Sequence, residues 1–207
     1  EPCGGELLVI ATFWRPLAFE RRIEHELQLR AGVGWSSEVD EEFREEVMGE
    51  RTLCVVAQRC AQVLLGGWVS TNYAALACID FPTCHGVWVP EMDFRHGFQL
   101  VRELGMTAAG THLSYDAITA IHWTHRVGAA LTFVYVGGFA LALLRDRGLA
   151  RYGAALLAVL LVQLALGIAN VVAGLPLAVA AAHNAGAAIL LLTAVVINFA
   201  LRRKPAP

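Results

Sequence analysis

The sequence predicts an all-α integral membrane protein: a four-helix bundle with one long external loop. Two observations carry that expectation. Of 207 residues, 57% are hydrophobic and only 16% are charged, against the roughly 25% usual in soluble domains, and the mean hydropathy is +0.53. The apolar residues are also gathered into runs of the length a bilayer demands, about 20 residues per helix. With a net charge of −2, no nucleic-acid partner is expected, and membrane lipid is.

Residues 1–51 are a different material from the rest. They hold 12 of the 18 acids but 6 of the 16 bases, which makes them net negative while residues 52–204 are net positive. Charge runs such as "FERRIEHELQLR" and "VDEEFREEVMGER" suit either a solvated helix or a poorly ordered segment, and His25 in the first run is read as exposed. The chain opens on Glu1 with no basic stretch, apolar run and small-residue cleavage site behind it. A fragment or a processed chain is the expectation. The domain boundary is drawn at Thr52.

From there four spans are expected. The first covers 53–77, interrupted by Gln58, Arg59 and Gln62; the others, at 117–144, 153–175 and 177–201, are cleaner. Between the first two lies a loop rich in Gly, Pro and aromatics, expected to fold on the membrane surface with Trp88, Phe94 and Phe98 near the interface. Arg145, Arg147 and Arg151 in the short loop, and Arg202, Arg203 and Lys204 in the tail, mark one side. By the positive-inside rule that side is cytoplasmic. The long loop and the Leu175-Pro176 connection then face outward, into the periplasm in a bacterium.

The spans contain a repeat. "HRVGAA" begins at His125 and "HNAGAA" at His183; "QVLLG" begins at Gln62 and "QLALG" at Gln163. Spans one and two therefore look like spans three and four. His125 lies eight residues into its span and His183 six, which puts both roughly 9–12 Å below the outer edge at 1.5 Å per residue. Two histidines at one depth on parallel helices can face each other, and the Gly-Ala after each is expected to leave a flat slot beside the imidazole. A macrocycle with two axial histidine ligands suits such a slot. The plainer reading is two histidines that hydrogen-bond neighbouring helices and bind nothing. Zinc is disfavoured, since it usually takes four ligands. His122, one turn outward, is a candidate for a cofactor edge or propionate contact, or for facing water. Arg126 is a candidate propionate partner, its alternative being a pairing with a carbonyl. Cys78 and Cys84, just outside the first span, suit a disulfide in an oxidising periplasm, as a staple or as an electron relay; two free thiols are the alternative. Cys54 and Cys60 read as small apolar fillers.

The stretches "LGGWVSTNYAALACIDFPTCHGVWVPEMDFRHGF", "LSYDAITAIHWTHRVGA" and "LGIANVVAGLPLAVAAAHNAGAA" resemble the haem A synthase family, in its bacterial form, from about Val63 to Arg203. The resemblance implies an eight-helix protein of two similar halves that oxidises a methyl group of haem O to the formyl group of haem A, in cytochrome oxidase assembly. It implies that His125, in an H-x-x-H-R motif, and His183, in A-H-N, are axial ligands of haem b, and that Cys78 and Cys84 are that half's external cysteine pair. The family's other half carries an E-x-x-H-R motif on the substrate haem. That motif is absent here, and His122 occupies the glutamate's place. The chain thus reads as a C-terminal half behind a segment unlike the family, for which a mistranslated or frameshifted origin is the expectation. Haem O, a haem O synthase and a second copy of the chain are the partners the resemblance implies, and the bacterial inner membrane is its location. The competing reading is a di-histidine b-type cytochrome that only carries electrons; a fragment that binds nothing is the third.

Overall fold

The computed structural model describes residues 37–146 and 148–202, with side chains described for 51–146 and 148–201. Residues 1–36, with His25, and the orienting residues Arg147, Arg203 and Lys204 lie outside the described residues. The elements are α1 (Ser37–Thr71), a single turn α2 (Phe94–Gly97), α3 (Tyr115–Leu144), α4 (Ala150–Val172) and α5 (Leu177–Arg202), with no strand among the described residues. Four stretches are long and apolar enough to cross a membrane: Arg51–Thr71, Tyr115–Leu144, Ala150–Val172 and Leu177–Leu201. The chain is an all-α, multi-pass membrane bundle.

Helix α1 runs without a break through the boundary drawn at Thr52. The change in composition marks where one helix enters the apolar layer, not where the helix begins. The same helix stops at Thr71, short of the expected 77. Asn72 ends it: its Nδ2 donates to the Trp68 carbonyl at 2.9 Å and its Oδ1 accepts the Gly105 N–H at 3.2 Å, while Tyr73 adopts a left-handed φ of 56°. The apolar residues 73–77 therefore belong to the loop.

The remaining ends follow local chemistry. Ser114 caps α3, its side chain accepting from the Ala117 N–H, as an N-cap serine should. Between α4 and α5 the chain turns through Gly174 and Leu175, both at positive φ, and the Leu175 N–H closes on the Asn170 carbonyl at 2.7 Å, a C-terminal helix stop. Pro176, with no N–H to leave unpaired, precedes α5.

Each spanning helix packs mainly against two others: α1 on α3 and α5, α4 on α3 and α5. The four close into a ring, with α3 and α5 on one diagonal and α1 and α4 on the other. Where α3 meets α4 the backbones approach closely, because a Cβ on Gly153 would lie 2.7 Å from the Ala140 carbonyl oxygen. Two apolar clusters fill the bundle. The larger one, toward the chain termini, joins Val55, Phe139, Leu143, Leu156, Leu160, Leu190 and Ile197; the smaller one, under the long loop, joins Val69, Ala74 and Ile121. Trp88 and Phe94 are exposed. Phe98 instead turns inward onto the small cluster, drawn there because Gly97 sits directly on the α3 backbone at Ala117.

Candidate functional site

A polar layer separates the two apolar clusters. On α1 it continues the inward stripe Val55, Arg59, Gln62, Gly66 and Val69, whose alternating spacings of four and three keep one face toward the core. Arg59 and Gln62 are 3% and 6% exposed, and Gln163 on α4 is 8% exposed. His125 on α3 and His183 on α5 complete the layer.

The repeat read from the sequence reappears as a repeated contact. Gln62 Nε2 lies 3.1 Å from His125 Nδ1 and also donates to the His125 carbonyl at 3.0 Å. Gln163 Nε2 lies 3.4 Å from His183 Nε2. A Cβ on Gly66 would meet His125 Cε1 at 3.2 Å, and one on Gly167 would meet His183 Cε1 at 3.1 Å. Each histidine therefore rests on the glycine of a neighbouring helix and is held by the glutamine one turn away from it.

The flat slot expected beside each imidazole is filled differently. A Cβ on Gly128 would collide with Gln62 Oε1, and one on Gly186 with Gln163 Oε1. The glycines after the histidines make room for the glutamines. The glycines that the imidazoles themselves pack against are Gly66 and Gly167. The sequence marks both glutamines as part of the repeat but assigns them no task, and Arg59 reads there only as an interruption of a span. The signal that groups all three with the histidines is the four-three spacing of the inward stripe.

With α3 and α5 on a diagonal, the two histidine helices face each other through the bundle. His125 lies within electrostatic reach of His183, and both lie within reach of Arg59. Several buried polar atoms in this layer lack a hydrogen-bond partner: Arg59 Nε, Gln62 Oε1, Gln163 Oε1 and His183 Nδ1. Buried polar atoms are seldom left so, and here they converge on one layer. Among the described residues no group of three or more His, Cys, Asp or Glu is arranged to hold a metal ion; two histidines are what the layer offers.

One turn toward the loop, His122 is 4% exposed and does not face water. Its Nδ1 lies 3.3 Å from the Cys78 N–H nitrogen and its Nε2 3.2 Å from Arg126 Nε. A neutral imidazole has one lone pair to offer, so only one of these donors can be satisfied by the ring. Arg126 donates to the carbonyls of Thr83 and Cys78, both at 2.8 Å. The carbonyl pairing is thus present, and of five guanidinium N–H groups two remain for another acceptor. Cys78 and Cys84 form a disulfide with Cα atoms 4.9 Å apart, so Arg126 grips the backbone at both ends of the bridged loop. Inside that loop the Asp80 carboxylate accepts from Thr83 Oγ1 at 2.6 Å and from the His85 and Gly86 N–H groups at 2.7 and 2.9 Å. These bonds hold its pKa well below the usual carboxylate range, the Thr83 hydroxyl contributing most. Cys60 is an exposed free thiol, and Cys54 is engaged rather than free.

Residues 24–195 match the family described as cytochrome oxidase assembly protein. The match thus reaches well upstream of Thr52. Three similar proteins are named heme A synthase. That of Shewanella oneidensis is 41% identical over 143 residues, covering 69% of this chain and 43% of its own. Those of Nitrosospira multiformis and a Caulobacter species are 34% and 35% identical, each over 69% of this chain and over 38% and 39% of their own lengths. The chain spans about two fifths of the length of the relatives it matches. No solved structure matches it.

Proposed function

The chain belongs to the cytochrome oxidase assembly protein family that includes the heme A synthases, and from that premise we propose that it is the C-terminal, haem b-binding half of such an oxidoreductase. The observation that carries the reading is the doubled unit of histidine, glutamine and glycine on diagonal helices.

The residues present suit the group. His125 and His183 would hold the iron. Gln62 Nε2 donates to His125 Nδ1, which puts the proton of the neutral ring on Nε2; ligation through Nε2 would need the Gln62 amide turned so that its oxygen accepts from Nδ1–H, the usual hydrogen bond behind a metal-bound histidine. His183 keeps a buried ring nitrogen without a partner. Gly66 and Gly167 let each imidazole lie close against the neighbouring helix. The apolar clusters lie on either side of the layer. When bound, haem b supplies one-electron transfer at a potential set by its ligands and surroundings. The two remaining N–H groups of Arg126 would receive a propionate, with His122 bordering the same edge. In the whole protein the other half would hold haem O for oxidation to haem A; a haem O synthase or a second copy would be its neighbours. The protein would lie in the bacterial inner membrane with the long loop in the periplasm.

The test is spectroscopic. Purified with haem, the chain is expected to give a low-spin, six-coordinate b-type spectrum. His125→Ala and His183→Ala should each abolish it or turn it high spin, because one axial position opens. His122→Ala should leave it low spin. A low-spin signal that survives both ligand substitutions but not His122→Ala would refute the assignment. Formation of haem A by this chain alone would refute the division of labour between halves, and haem binding without any effect on haem A synthesis when the other half is supplied would favour the electron-carrier reading.

A further inference from the structure

Arg59 contacts neither histidine in the haem reading. It lies on the inward stripe of α1, 3% exposed, with its Nε buried and without a partner. Gln62 and Gly66, three and seven residues further along the helix, both touch His125. Arg59 therefore sits about 4.5 Å along the axis from Gln62, on the side of the polar layer away from the long loop. The sequence holds no Asp or Glu from Thr52 to Ile79, from Ala117 to Arg145, or from Arg147 to Pro207, so none of the spans brings a carboxylate into this layer. Burying a cation without a close counter-charge is costly, and such a group in a membrane core is a functional candidate by default.

We infer that Arg59 is a positioning residue whose fixed charge raises the electron affinity of the bis-histidine centre. This rests on the haem b reading above. Iron in a porphyrin with two neutral imidazoles carries one more positive charge at its core when ferric than when ferrous. A guanidinium on the neighbouring helix repels that extra charge, and in a medium of low dielectric the repulsion is weakly screened. The reduced form is favoured. Because Arg59 stays protonated throughout the accessible pH range, the bias is permanent.

The experiment is a redox titration of the full chain loaded with haem b, using dithionite and ferricyanide with mediators and following the reduced α-band. Arg59→Gln and Arg59→Met are both made, so that the charge is removed once with a polar and once with an apolar side chain in its place. Each neutral variant that binds haem should be reduced at least tenfold less readily than wild type, a fall of about 59 mV for one electron. Arg59→Lys should recover most of the shift. A midpoint in either neutral variant within threefold of wild type overturns the inference. So does a variant that folds but no longer takes up haem while Arg59→Lys does, because Arg59 would then be a binding contact. If the wild-type chain itself gives no bis-imidazole spectrum, the haem reading has failed and this inference falls with it; a normal spectrum with an unmoved midpoint overturns only the inference.

Discussion

Gly128 and Gly186 show how a single missing methyl group shapes the interior. Each lies three residues after a histidine, and each accepts the amide oxygen of a glutamine against its bare Cα. The glutamine can reach its histidine only because of that gap. Gly128→Ala is therefore expected to push Gln62 out of contact with His125, with a loss on the order of 1–3 kcal/mol typical of overpacking. Gly67→Ala is the control: it has nothing within 4 Å of its Cβ position, and alanine is the better helix former by about 1 kcal/mol. Thermal unfolding in detergent should order the three as Gly67→Ala at or above wild type and Gly128→Ala well below. Equal melting of both variants would show that the Gln62 contact is dispensable. At this same scale the sequence makes the histidines conspicuous and the glutamines inconspicuous, since a polar amide within an apolar run reads as a blemish until its partner is seen.

The loop that follows α1 is held by charge as well as by the small apolar cluster beneath it. Asp80 gathers three donors within residues 83–86, and Arg126 reaches up from α3 to the loop carbonyls. The depressed pKa of Asp80 fixes the sign of its pH dependence. A group with a lowered folded value stabilises the fold above its unfolded value and loses that contribution as pH falls through the folded one. The loop should thus hold as pH drops to the ordinary carboxylate value of 3.8 and loosen progressively only below it. Amide chemical shifts of His85 and Gly86 followed against pH would report this. A transition centred at or above 3.8, or the same transition in Asp80→Asn, would contradict it. The element ends tell a similar story. The first span closes at Thr71 because Asn72 binds back to Trp68 and across to Gly105, a partner 33 residues away that no local reading could supply.

For the whole molecule, orientation is the claim most open to direct measurement. Arg145 and Arg151, at the α3–α4 turn, and the C-terminal end of α5 fall at the same end of the bundle, opposite the long loop. A phosphatase fusion within residues 86–112 should be active in the periplasm and one after Leu201 inactive, with a fluorescent-protein fusion giving the reverse. The opposite pattern would invert the topology. The sequence by itself determined the class of fold, the number of spans and the pairing of span with span, because each rests on composition or periodicity that a bilayer enforces along the chain. Only the tertiary structure decided that α3 and α5 lie on a diagonal, that the glycines after the histidines house glutamines, that His122 lies buried beneath the disulfide loop and that Arg59 shares the polar layer. Those facts depend on which helix faces which across the bundle, and packing between elements distant in the chain leaves no periodic trace within any one of them.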